Sequence, residues 1–432
     1  MKTSFYNIYF QHNGKYYVYN TLTTSLVSLD ETTQRNLKIS KLENLPTEVI
    51  GNLIKQGLIV DDNMDELAVF ECYYNESQYG GFRDELRVVL IPTYNCNLKC
   101  TYCFEECSSK KNMGENEIRQ VLEFVKNQFS TTRNYKKISL ILFGGEPLLC
   151  SKACITMSDA LKLFASENDV YLSTMIITNA VLLNMGIIND LIIPTNMKVQ
   201  ITLDGSRRFH DERRIQKNGV GTYDRIIDSL NLLNKMGVRD NIDLRINVDK
   251  KNIGELEEVL KDVNEKVGYI YIGLLRAAGN NKERVSDCIS DNEYIIYYRP
   301  QLAPLFKKYG KKLHFGGFGK KHSCAMNGGN SFIIDPHLNV YKCDNLVGKP
   351  EFAIGKISNG MLEKNAAYYI QRSWSPLHFE RCRKCNRLPA CTASCAYLCL
   401  VNNGSMNKPY CAVTESQLIG KITRYLDGLQ NE

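Results

Sequence analysis

Three cysteines lie close together in the stretch PTYNCNLKCTYCFEEC, which runs from Pro92 to Cys107. They are Cys96, Cys100 and Cys103, spaced C-x3-C-x2-C, and no histidine stands near them. A structural zinc site needs four protein ligands, and a catalytic zinc site usually combines histidine with water. An iron–sulfur cube is held by soft thiolates at four iron corners. Three cysteines on one loop therefore predict a cube with one iron left open to a chelating small molecule.

A second group of cysteines follows near the other end of the chain. The chain has sixteen cysteines in 432 residues, which is a high count for an intracellular protein. Because cytosolic thiols are kept reduced, metal ligation is a better interpretation than a disulfide framework. The stretch CRKCNRLPACTASC has the spacing C-x2-C-x5-C-x3-C, and three further cysteines flank it; the seven are Cys324, Cys343, Cys382, Cys385, Cys391, Cys395 and Cys411.

Composition and charge exclude several classes of protein. No stretch approaches the roughly 20 unbroken apolar residues that span a bilayer, and the first residues lack the apolar core of a secretory signal. We therefore expect a cytoplasmic protein without a membrane partner. The net charge of +7 is mild, and six lysines lie between 307 and 321. Such a run is more often a solvated face than a nucleic-acid site, so no nucleic-acid partner is expected.

From Leu86 onward, apolar strand patterns alternate with amphipathic helix patterns. The strand candidates are LRVVLIPT, KISLILFG, VYLSTMIIT, KVQITLD, IDLRINV and YIYIGLL, and helical patterns such as ENEIRQVLEFVKNQF lie between them. Six such repeats predict an α/β fold with a parallel sheet covered by helices. A closed barrel would need eight units, so a partial six-unit β/α barrel fits the count better.

The unusual sequences fall where these strands end, which is where β/α barrels place their functional groups. The three-cysteine loop follows the first strand, and Gly144, Gly145 and Glu146 follow the second. Further candidates close the third and fourth strands: Thr178, Asn179, Thr202 and Asp204. The sequence therefore predicts that all of these residues converge on one rim.

The regions on either side of the barrel have different patterns. In residues 1–80, aromatic β-prone runs flank Asn13-Gly14, the strongest short hairpin signal, and a winged-helix-like module is expected. The acidic, tyrosine-rich stretch from Asp61 to Glu85 is expected to link this module to a barrel at 86–310. Residues 311–432 form a third, irregular and cysteine-rich domain, in which bound metal is expected to help folding.

The motif CNLKCTYC resembles the signature of the radical S-adenosylmethionine (SAM) enzymes, with Tyr102 as the usual aromatic residue before the last cysteine. The resemblance implies that SAM chelates the open iron of a 4Fe-4S cluster and is cleaved to a 5′-deoxyadenosyl radical. It also implies a SAM pocket formed by the Gly144-Gly145-Glu146 loop together with Thr178, Asn179, Thr202 and Asp204. Relatives often have Thr-Asn-Gly where this chain has Ala180.

The C-terminal cysteines resemble the SPASM domain of radical SAM enzymes that act on peptides and proteins. The resemblance implies two auxiliary iron–sulfur clusters. Cys382, Cys385, Cys391 and Cys411 would hold the second, whereas Cys324, Cys343 and Cys395 would hold the first. The first cluster lacks a clear fourth cysteine, so either one iron is open or His322 or Cys399 completes it. Leu338 stands where relatives often have glycine.

The N-terminal module resembles the peptide-recognition element of ribosomal-peptide maturases, in which a leader peptide adds a strand to a sheet edge. A radical SAM maturase of a precursor peptide is therefore expected, with a flavodoxin or ferredoxin as reductant. The favoured product is a thioether crosslink, and a carbon–carbon link comes next. One alternative is an anaerobic sulfatase-maturase-like enzyme that oxidises Cys or Ser, with Asp344 as a speculative catalytic acid. A contrasting alternative is a zinc-stabilised interaction protein without enzymatic activity.

Overall fold

The computed structural model describes residues 1–80, 84–103, 109–131, 135–275, 286–290, 293–313, 324–391, 395–411 and 413–430. Two residues named above, Cys107 and His322, lie outside these ranges. Among the described residues, no helix has the length and apolar character needed to cross a membrane. The chain divides into two compact units. The first comprises 1–81, 316–324 and 373–432, and the second comprises 82–315 and 325–372.

The first unit contains five short strands and the second contains all of the remaining described strands. Those of the first unit are β1 (Lys2–Thr3), β2 (Asn7–His12), β3 (Lys15–Asn20), β4 (Leu26–Leu29) and β5 (Ile59–Val60). Those of the second are β6 (Glu85–Leu90), β7 (Leu98–Cys100), β8 (Lys137–Leu142), β9 (Tyr171–Thr178), β10 (Lys198–Leu203), β11 (Arg214–Gln216), β12 (Ile242–Val248), β13 (Tyr269–Leu274), β14 (Ser331–Ile334), β15 (Asn339–Tyr341), β16 (Gly355–Ser358) and β17 (Met361–Lys364).

The α-helices vary from single turns to five turns. They are α1 (Glu31–Lys38), α2 (Thr47–Lys55), α3 (Glu66–Gly80), α4 (Glu115–Thr131), α5 (Ser151–Glu167), α6 (Met185–Ile187), α7 (Arg207–Arg213), α8 (Tyr223–Lys235), α9 (Leu256–Val263), α10 (Arg299–Lys308), α11 (Ala366–Arg372), α12 (Glu380–Arg383), α13 (Leu388–Cys391), α14 (Ala396–Asn403) and α15 (Glu415–Gln430).

The second unit is built on a ten-stranded sheet in the order β13-β12-β10-β9-β8-β6-β14-β15-β16-β17. The six strands from β13 to β6 pair in parallel, each with its neighbour. Helices such as α4, α5, α8 and α9 connect them. The predicted α/β fold with six parallel strands is therefore confirmed, and the predicted strand bounds agree to within three residues.

The parallel strands are apolar because both of their faces are covered. Val88, Leu140, Ile201 and Leu244 have no exposed surface and belong to one continuous core with the inner faces of the helices. Each such side chain contributes about 1.5–3 kcal/mol when it is fully removed from water. This core fixes the carboxyl ends of the strands, where the loops with polar and cysteine residues begin.

The sheet extends beyond the predicted barrel. Strand β14 pairs in parallel with β6, and β15, β16 and β17 then continue the sheet in antiparallel fashion. Phe332 and Ile334 of β14 belong to the same buried core as the barrel strands. Part of the region 311–432 therefore packs into the same apolar core as the barrel strands, and the expected contribution of bound metal to its folding stays a prediction. The assignment of three functional domains remains a prediction.

The first unit contains the N-terminal module. Strands β2, β3 and β4 form an antiparallel sheet, and the predicted turn at Asn13-Gly14 joins β2 to β3. One face of this sheet packs on α15, where Tyr19 contacts a core that includes Ile422. The other face packs on α1 and α2, through a second core that includes Leu53. Both faces are thus buried, and the two edge strands are β2 and β4.

The stretch expected to be a linker is largely a helix. Helix α3 covers Glu66–Gly80, and both Phe70 and Tyr74 are buried. The Glu66 carboxylate is also buried and accepts hydrogen bonds from the Ser4 hydroxyl and from the Phe5 amide, the latter at 2.8 Å. The sequence did not predict this helix because the acidic composition concealed one carboxylate that anchors it to the N-terminal strands, and the linking role of the stretch stays a prediction.

Candidate functional site

The three-cysteine loop begins where β6 ends and is held by a short strand pair. Within the loop, β7 pairs antiparallel with β11, so that Cys100 lies opposite Arg214. The Thr101 amide also donates to the Arg213 carbonyl at 2.9 Å. These bonds fix the backbone between Cys96 and Cys103, although the loop has no helix or long strand of its own.

The three thiols differ in their exposure to solvent. Cys96 and Cys100 are half-buried, and Cys103 is exposed. Burial raises the pKa of Cys96, and it raises the pKa of Cys100 to about 12. All three thiols are close enough to interact electrostatically with one another. This arrangement fits an iron–sulfur cluster, whose positive iron ions stabilise thiolates that would otherwise be protonated.

Tyr102 connects this loop to two neighbouring strands. Its hydroxyl group donates to the Asp204 carboxylate. The same oxygen accepts hydrogen bonds from Arg214 Nη1 at 2.8 Å and from Asn247 Nδ2 at 3.1 Å. A tyrosine hydroxyl donates once and accepts twice, so its capacity is filled. In this structure Tyr102 anchors the loop, and its contact with a cofactor remains a prediction.

Asp204 follows β10 and has no exposed surface. Burial raises the pKa of Asp204, and the Arg214 guanidinium opposes that rise. One carboxylate oxygen accepts from Tyr102, whereas Oδ1 is buried and has no hydrogen-bond partner among the described residues. A buried unsatisfied acceptor costs about 1–3 kcal/mol. The orphaned oxygen therefore fits a ligand that brings a hydroxyl or amino donor to this rim.

Two glycines allow the loop after β8 to lie directly against the loop after β6. Gly144 has a φ of +127°, a conformation that disfavours other residues. A Cβ atom on Gly145 would lie 2.2 Å from the Asn95 carbonyl oxygen and 2.5 Å from that of Tyr94. The Gly145 amide donates to the Thr93 carbonyl at 3.1 Å. The glycines thus keep this loop in contact with the residues that lead into Cys96.

Glu146 is fully buried and joins the ends of β8 and β9. Its Oε1 accepts from the Thr178 hydroxyl at 2.7 Å and from the Leu148 amide at 3.1 Å, and its Oε2 accepts from the Asn179 amide at 2.8 Å. Burial raises the pKa of Glu146, and these donors act in the opposite direction. The carboxylate is thus already occupied by protein donors, and an interaction with the SAM ammonium group remains a prediction.

Asn179 reaches back toward the three-cysteine loop. Its Nδ2 donates to Asn97 Oδ1 at 2.8 Å and lies 3.7 Å from the Cys96 sulfur. Thr202 lies on the neighbouring strand β10 and is buried. The structure therefore brings the candidate residues from four strand ends to the same rim. Ala180 has a φ of +64°, a conformation that glycine adopts more readily than alanine.

Four of the C-terminal cysteines line one cavity in the first unit. They are Cys382, Cys385, Cys391 and Cys411. In the described ranges, no three His, Cys, Asp or Glu side chains are placed to hold one metal ion. The four thiols instead surround a volume, as the ligands of a four-iron cube do. Their position fits the predicted second auxiliary cluster.

The ligands predicted for the first auxiliary cluster are divided between the two units. Cys324 and Cys395 belong to the first unit, and Cys343 belongs to the second. Cys399 has no exposed surface, and burial raises the pKa of its thiol. The ligand set of this cluster, including its fourth member, stays a prediction. Leu338 adopts a φ of +66°, again a conformation that favours glycine.

Asp344 directly follows Cys343 and begins a single 3₁₀ turn, Asp344–Leu346. Desolvation raises the pKa of Asp344, and the Arg87 guanidinium of strand β6 opposes the rise. A raised pKa makes this carboxyl group easier to protonate than an ordinary aspartate. Its role as a catalytic acid or base remains a prediction.

The sequence did not predict which side chains hold the three-cysteine loop in place. Arg214 and Asn247 bind Tyr102, and the buried ion pair between Arg213 and Asp249, at 2.8 Å, fixes the end of α7. The dipeptide Arg213-Arg214 gives no signal of this role by itself, since arginine side chains are mostly exposed. The orientation of these side chains depends on the tertiary fold.

Comparison with known proteins identifies the family to which part of this chain is similar. Residues 90–263 match the model of the Radical SAM superfamily. This range begins at the end of β6 and includes the three-cysteine loop and the strand ends after β8, β9 and β10. Residues 90–263 thus form a radical SAM domain, and the chain is an enzyme. The superfamily uses SAM and a 4Fe-4S cluster, so these two expected cofactors are confirmed.

The individual proteins that this chain resembles have low sequence identity to it. The cysteine-type anaerobic sulfatase-maturating enzyme of Clostridium novyi (strain NT) is 26% identical over 329 residues, which cover 70% of this chain and 85% of that enzyme. The structure of native anSMEcpe with bound AdoMet and Cp18Cys peptide has a TM-score of 0.60 at 19% identity, covering 80% of this chain and 98% of that one.

A third similarity extends over almost the whole chain. The structure of Streptococcus suis SuiB bound to precursor peptide SuiA has a TM-score of 0.56 at 14% identity and covers 95% of this chain and 100% of that one. At this level of identity the similarity shows the fold alone. The fold of these SPASM-type maturases is shared, and the alternative of a non-enzymatic zinc protein is overturned by the radical SAM domain.

Proposed function

We propose that this enzyme binds a ribosomally made precursor peptide and forms an intramolecular crosslink in it. The observation that carries the proposal is the N-terminal sheet of β2, β3 and β4, which is present in addition to the barrel and the cysteine-rich region. The fold of SuiB covers 95% of the chain and that of anSMEcpe covers 80%, a difference of about the length of this module. The edge strands of this sheet are positions where an extended peptide could add a further strand.

Strand β4 offers an edge for a leader peptide. No described residue pairs with its outer side, and its residues Leu26–Leu29 are half-exposed or exposed. A peptide added there would gain main-chain hydrogen bonds, while its alternate side chains would contact the module. Strand β2 is the other edge of this sheet, and the Gln34 side chain of α1 donates to the Phe10 and Tyr17 carbonyls, where β2 pairs with β3.

SAM, when cleaved at the reduced cluster, supplies a 5′-deoxyadenosyl radical that abstracts hydrogen from an unactivated C–H bond. The protein contributes position and shielding. The Gly144-Gly145 loop and the Tyr102 network hold the three cysteines at the carboxyl ends of the barrel strands. The Asp204 oxygen without a partner supplies an acceptor for the cofactor. The four-cysteine cavity would hold an auxiliary cluster that accepts or passes electrons.

A thioether is the favoured crosslink, followed by a carbon–carbon bond. A second candidate function, oxidation of Cys or Ser in a protein to an aldehyde, is supported by the similarity to the Clostridium novyi enzyme. The position of Asp344 beside Cys343 also supports this candidate, because a carboxylate there could accept a substrate proton. The additional N-terminal module favours the crosslinking enzyme.

The test is an anaerobic reaction of the reconstituted enzyme with SAM, dithionite and a candidate precursor peptide, followed by mass spectrometry. A crosslink predicts the loss of two hydrogen atoms per modified site, and no product that reacts with a hydrazine reagent. The same peptide without its leader should react more slowly. An aldehyde that forms a hydrazone would favour the second candidate, and an unmodified peptide would contradict both.

A further inference from the structure

The segment 380–387 surrounds the four-cysteine cavity with positive charge. Arg381 and Arg387 line the cavity itself. Arg383 and Lys384 lie beside them and are exposed to solvent. We call these four cations the basic rim. The same segment contains one acidic residue, Glu380. The charge around this cavity is therefore much more positive than the chain average.

The acidic neighbours neutralise little of this charge. Glu380 pairs with Lys384 at 2.5 Å, but both side chains are at least three-quarters exposed. Glu415 lies 3.8 Å from Arg387, at the outer limit of an ion pair. Exposed pairs of this kind contribute little and are readily exchanged for contacts with a partner. The basic rim is thus available for an external group of opposite charge.

The cavity below the rim opens to solvent. Cys411 is exposed and Cys385 is half-buried, whereas Cys382 and Cys391 are buried. A redox group held by these four thiols would therefore lie directly under the basic rim. Positive charge at its edge favours the reduced, more negative form of such a group. A surface with this combination suits the approach of an electron carrier.

We propose that the basic rim is the docking surface for a small acidic electron-carrier protein of the flavodoxin or ferredoxin class. This inference rests on the proposed function, because the reductive cleavage of SAM consumes one electron. The carrier would pass that electron to the redox group held by the four thiols and is oxidised by one equivalent. Onward transfer of the electron to the SAM cluster is part of this proposal, and no proton needs to cross the interface. Opposite charges on the two surfaces accelerate the encounter and orient the carrier. A nucleic-acid partner would not need thiols beneath the rim.

The test compares two charge reversals of equal size. The first is R383E/K384E, which changes exposed cations of the rim that do not line the cavity. The control is K162E/K235E, which changes exposed lysines on α5 and α8. Iron and sulfide contents and circular dichroism establish that both variants are folded and loaded. If R383E/K384E loses its clusters, the neutral variant R383Q/K384Q is measured in its place.

Binding of oxidised flavodoxin to the reconstituted full chain gives the first readout. Rim reversal should raise the Kd by about tenfold or more, whereas the control should stay within about twofold. Added salt should weaken binding of the unaltered enzyme more than that of the rim variant, because salt screens exposed charges. An equal Kd for the rim variant and the unaltered enzyme would overturn the proposal. Binding of a single-stranded RNA through the rim, without carrier binding, would also overturn it.

The second readout separates docking from chemistry. Formation of 5′-deoxyadenosine driven by reduced flavodoxin should fall in the rim variant by the same factor as its affinity. Formation driven by dithionite should be unchanged, because this small reductant needs no docking surface. Loss of both activities in a loaded, folded variant would contradict the inference. Absence of dithionite-driven activity in the unaltered enzyme would instead contradict the proposed function.

Discussion

The two cysteine sites of this enzyme are built in opposite ways. The three-cysteine loop belongs to a unit with a large apolar core, and a buried polar network around Tyr102 holds it against two strands. The four-cysteine cavity lies in a unit with smaller apolar cores and short helices, and cations line it. The fold holds the first site in place, whereas the second is expected to depend more on the cluster predicted to bind there.

This difference corresponds to the number of thiols. Three protein ligands would leave one iron free for SAM, so we expect the protein itself to fix the loop in place. Four protein ligands close a cluster, and the bound metal then contributes to the stability of the surrounding chain. We therefore expect substitutions at the first site to abolish SAM cleavage, and substitutions at the second site to affect later steps or folding. The following predictions test this contrast in order of decreasing effect.

The largest effect is expected for the cysteines themselves. Cys100→Ala should lower dithionite-driven 5′-deoxyadenosine formation by about three orders of magnitude, or about 4 kcal/mol in activation free energy. Cys391→Ala should stay within about tenfold of the unaltered enzyme in the same assay but should yield no modified peptide. Cys72→Ala, on the exposed side of α3, is the control and should change neither product. Equal losses of 5′-deoxyadenosine formation in Cys100→Ala and Cys391→Ala would contradict the proposed difference between the two cysteine sites.

Gly145→Ala should disturb the fold around the first site. The added methyl group would meet the Asn95 carbonyl oxygen at 2.2 Å, and relief of this clash should cost about 3 kcal/mol. Urea unfolding of the iron-free chain measures the change. Gly51→Ala on α2 is a matched control, because nothing lies within 4 Å of the added atom and alanine favours a helix by about 0.5–1 kcal/mol. If Gly145→Ala and Gly51→Ala have the same free energy of unfolding, the close approach of the two loops does not contribute to stability.

Glu146→Gln should weaken the connection between β8 and β9. An amide nitrogen would face at least one of the three donors that now bind the carboxylate, which should cost about 2 kcal/mol. Glu167→Gln, at the exposed end of α5, should change stability by less than about 0.5 kcal/mol. The measurement is again the unfolding free energy. Glu146→Gln with unchanged stability but weakened SAM binding would instead assign the carboxylate to the cofactor.

Tyr102→Phe should have the smallest effect of the four. The ring is retained, but Asp204, Arg214 and Asn247 lose their common partner. By analogy with other groups that support metal ligands, about tenfold weaker retention of the cluster is expected. Tyr171→Phe, an exposed tyrosine of β9, is the control. Iron content after gel filtration measures the loss, and a variant that retains iron as well as the control would contradict the anchoring role of Tyr102.

Much of the fold could be predicted from the sequence because its strongest signals are local. Strand β12 was predicted residue for residue, since its alternating apolar residues are bounded on both sides by polar residues. The pairing of β14 with β6 could not be predicted, because it joins segments more than two hundred residues apart. Helix α3 was missed because its buried face includes Glu66, a residue type that usually indicates solvent.

The residues of the candidate site also fall into two groups, those that the sequence predicted and those that it did not. The cysteines and the Gly144-Gly145-Glu146 loop have chemical identities and spacings that few other functions require. Arg214 and Asn247 are ordinary residues whose role depends on which side chains the fold places opposite them. Ala180 and Leu338 depart from a glycine pattern, yet both keep a positive φ. The backbone conformation at these positions is thus maintained without the residue that most easily adopts it.

The central claim is that the cluster at Cys96, Cys100 and Cys103 keeps one iron free for SAM. The most direct test uses a variant in which the seven C-terminal cysteines are replaced by alanine, so that only this cluster contributes to the electron paramagnetic resonance spectrum. After reduction with dithionite, addition of SAM should change the g-values of the signal. Identical spectra with and without SAM, in protein that contains the full cluster, would contradict the account.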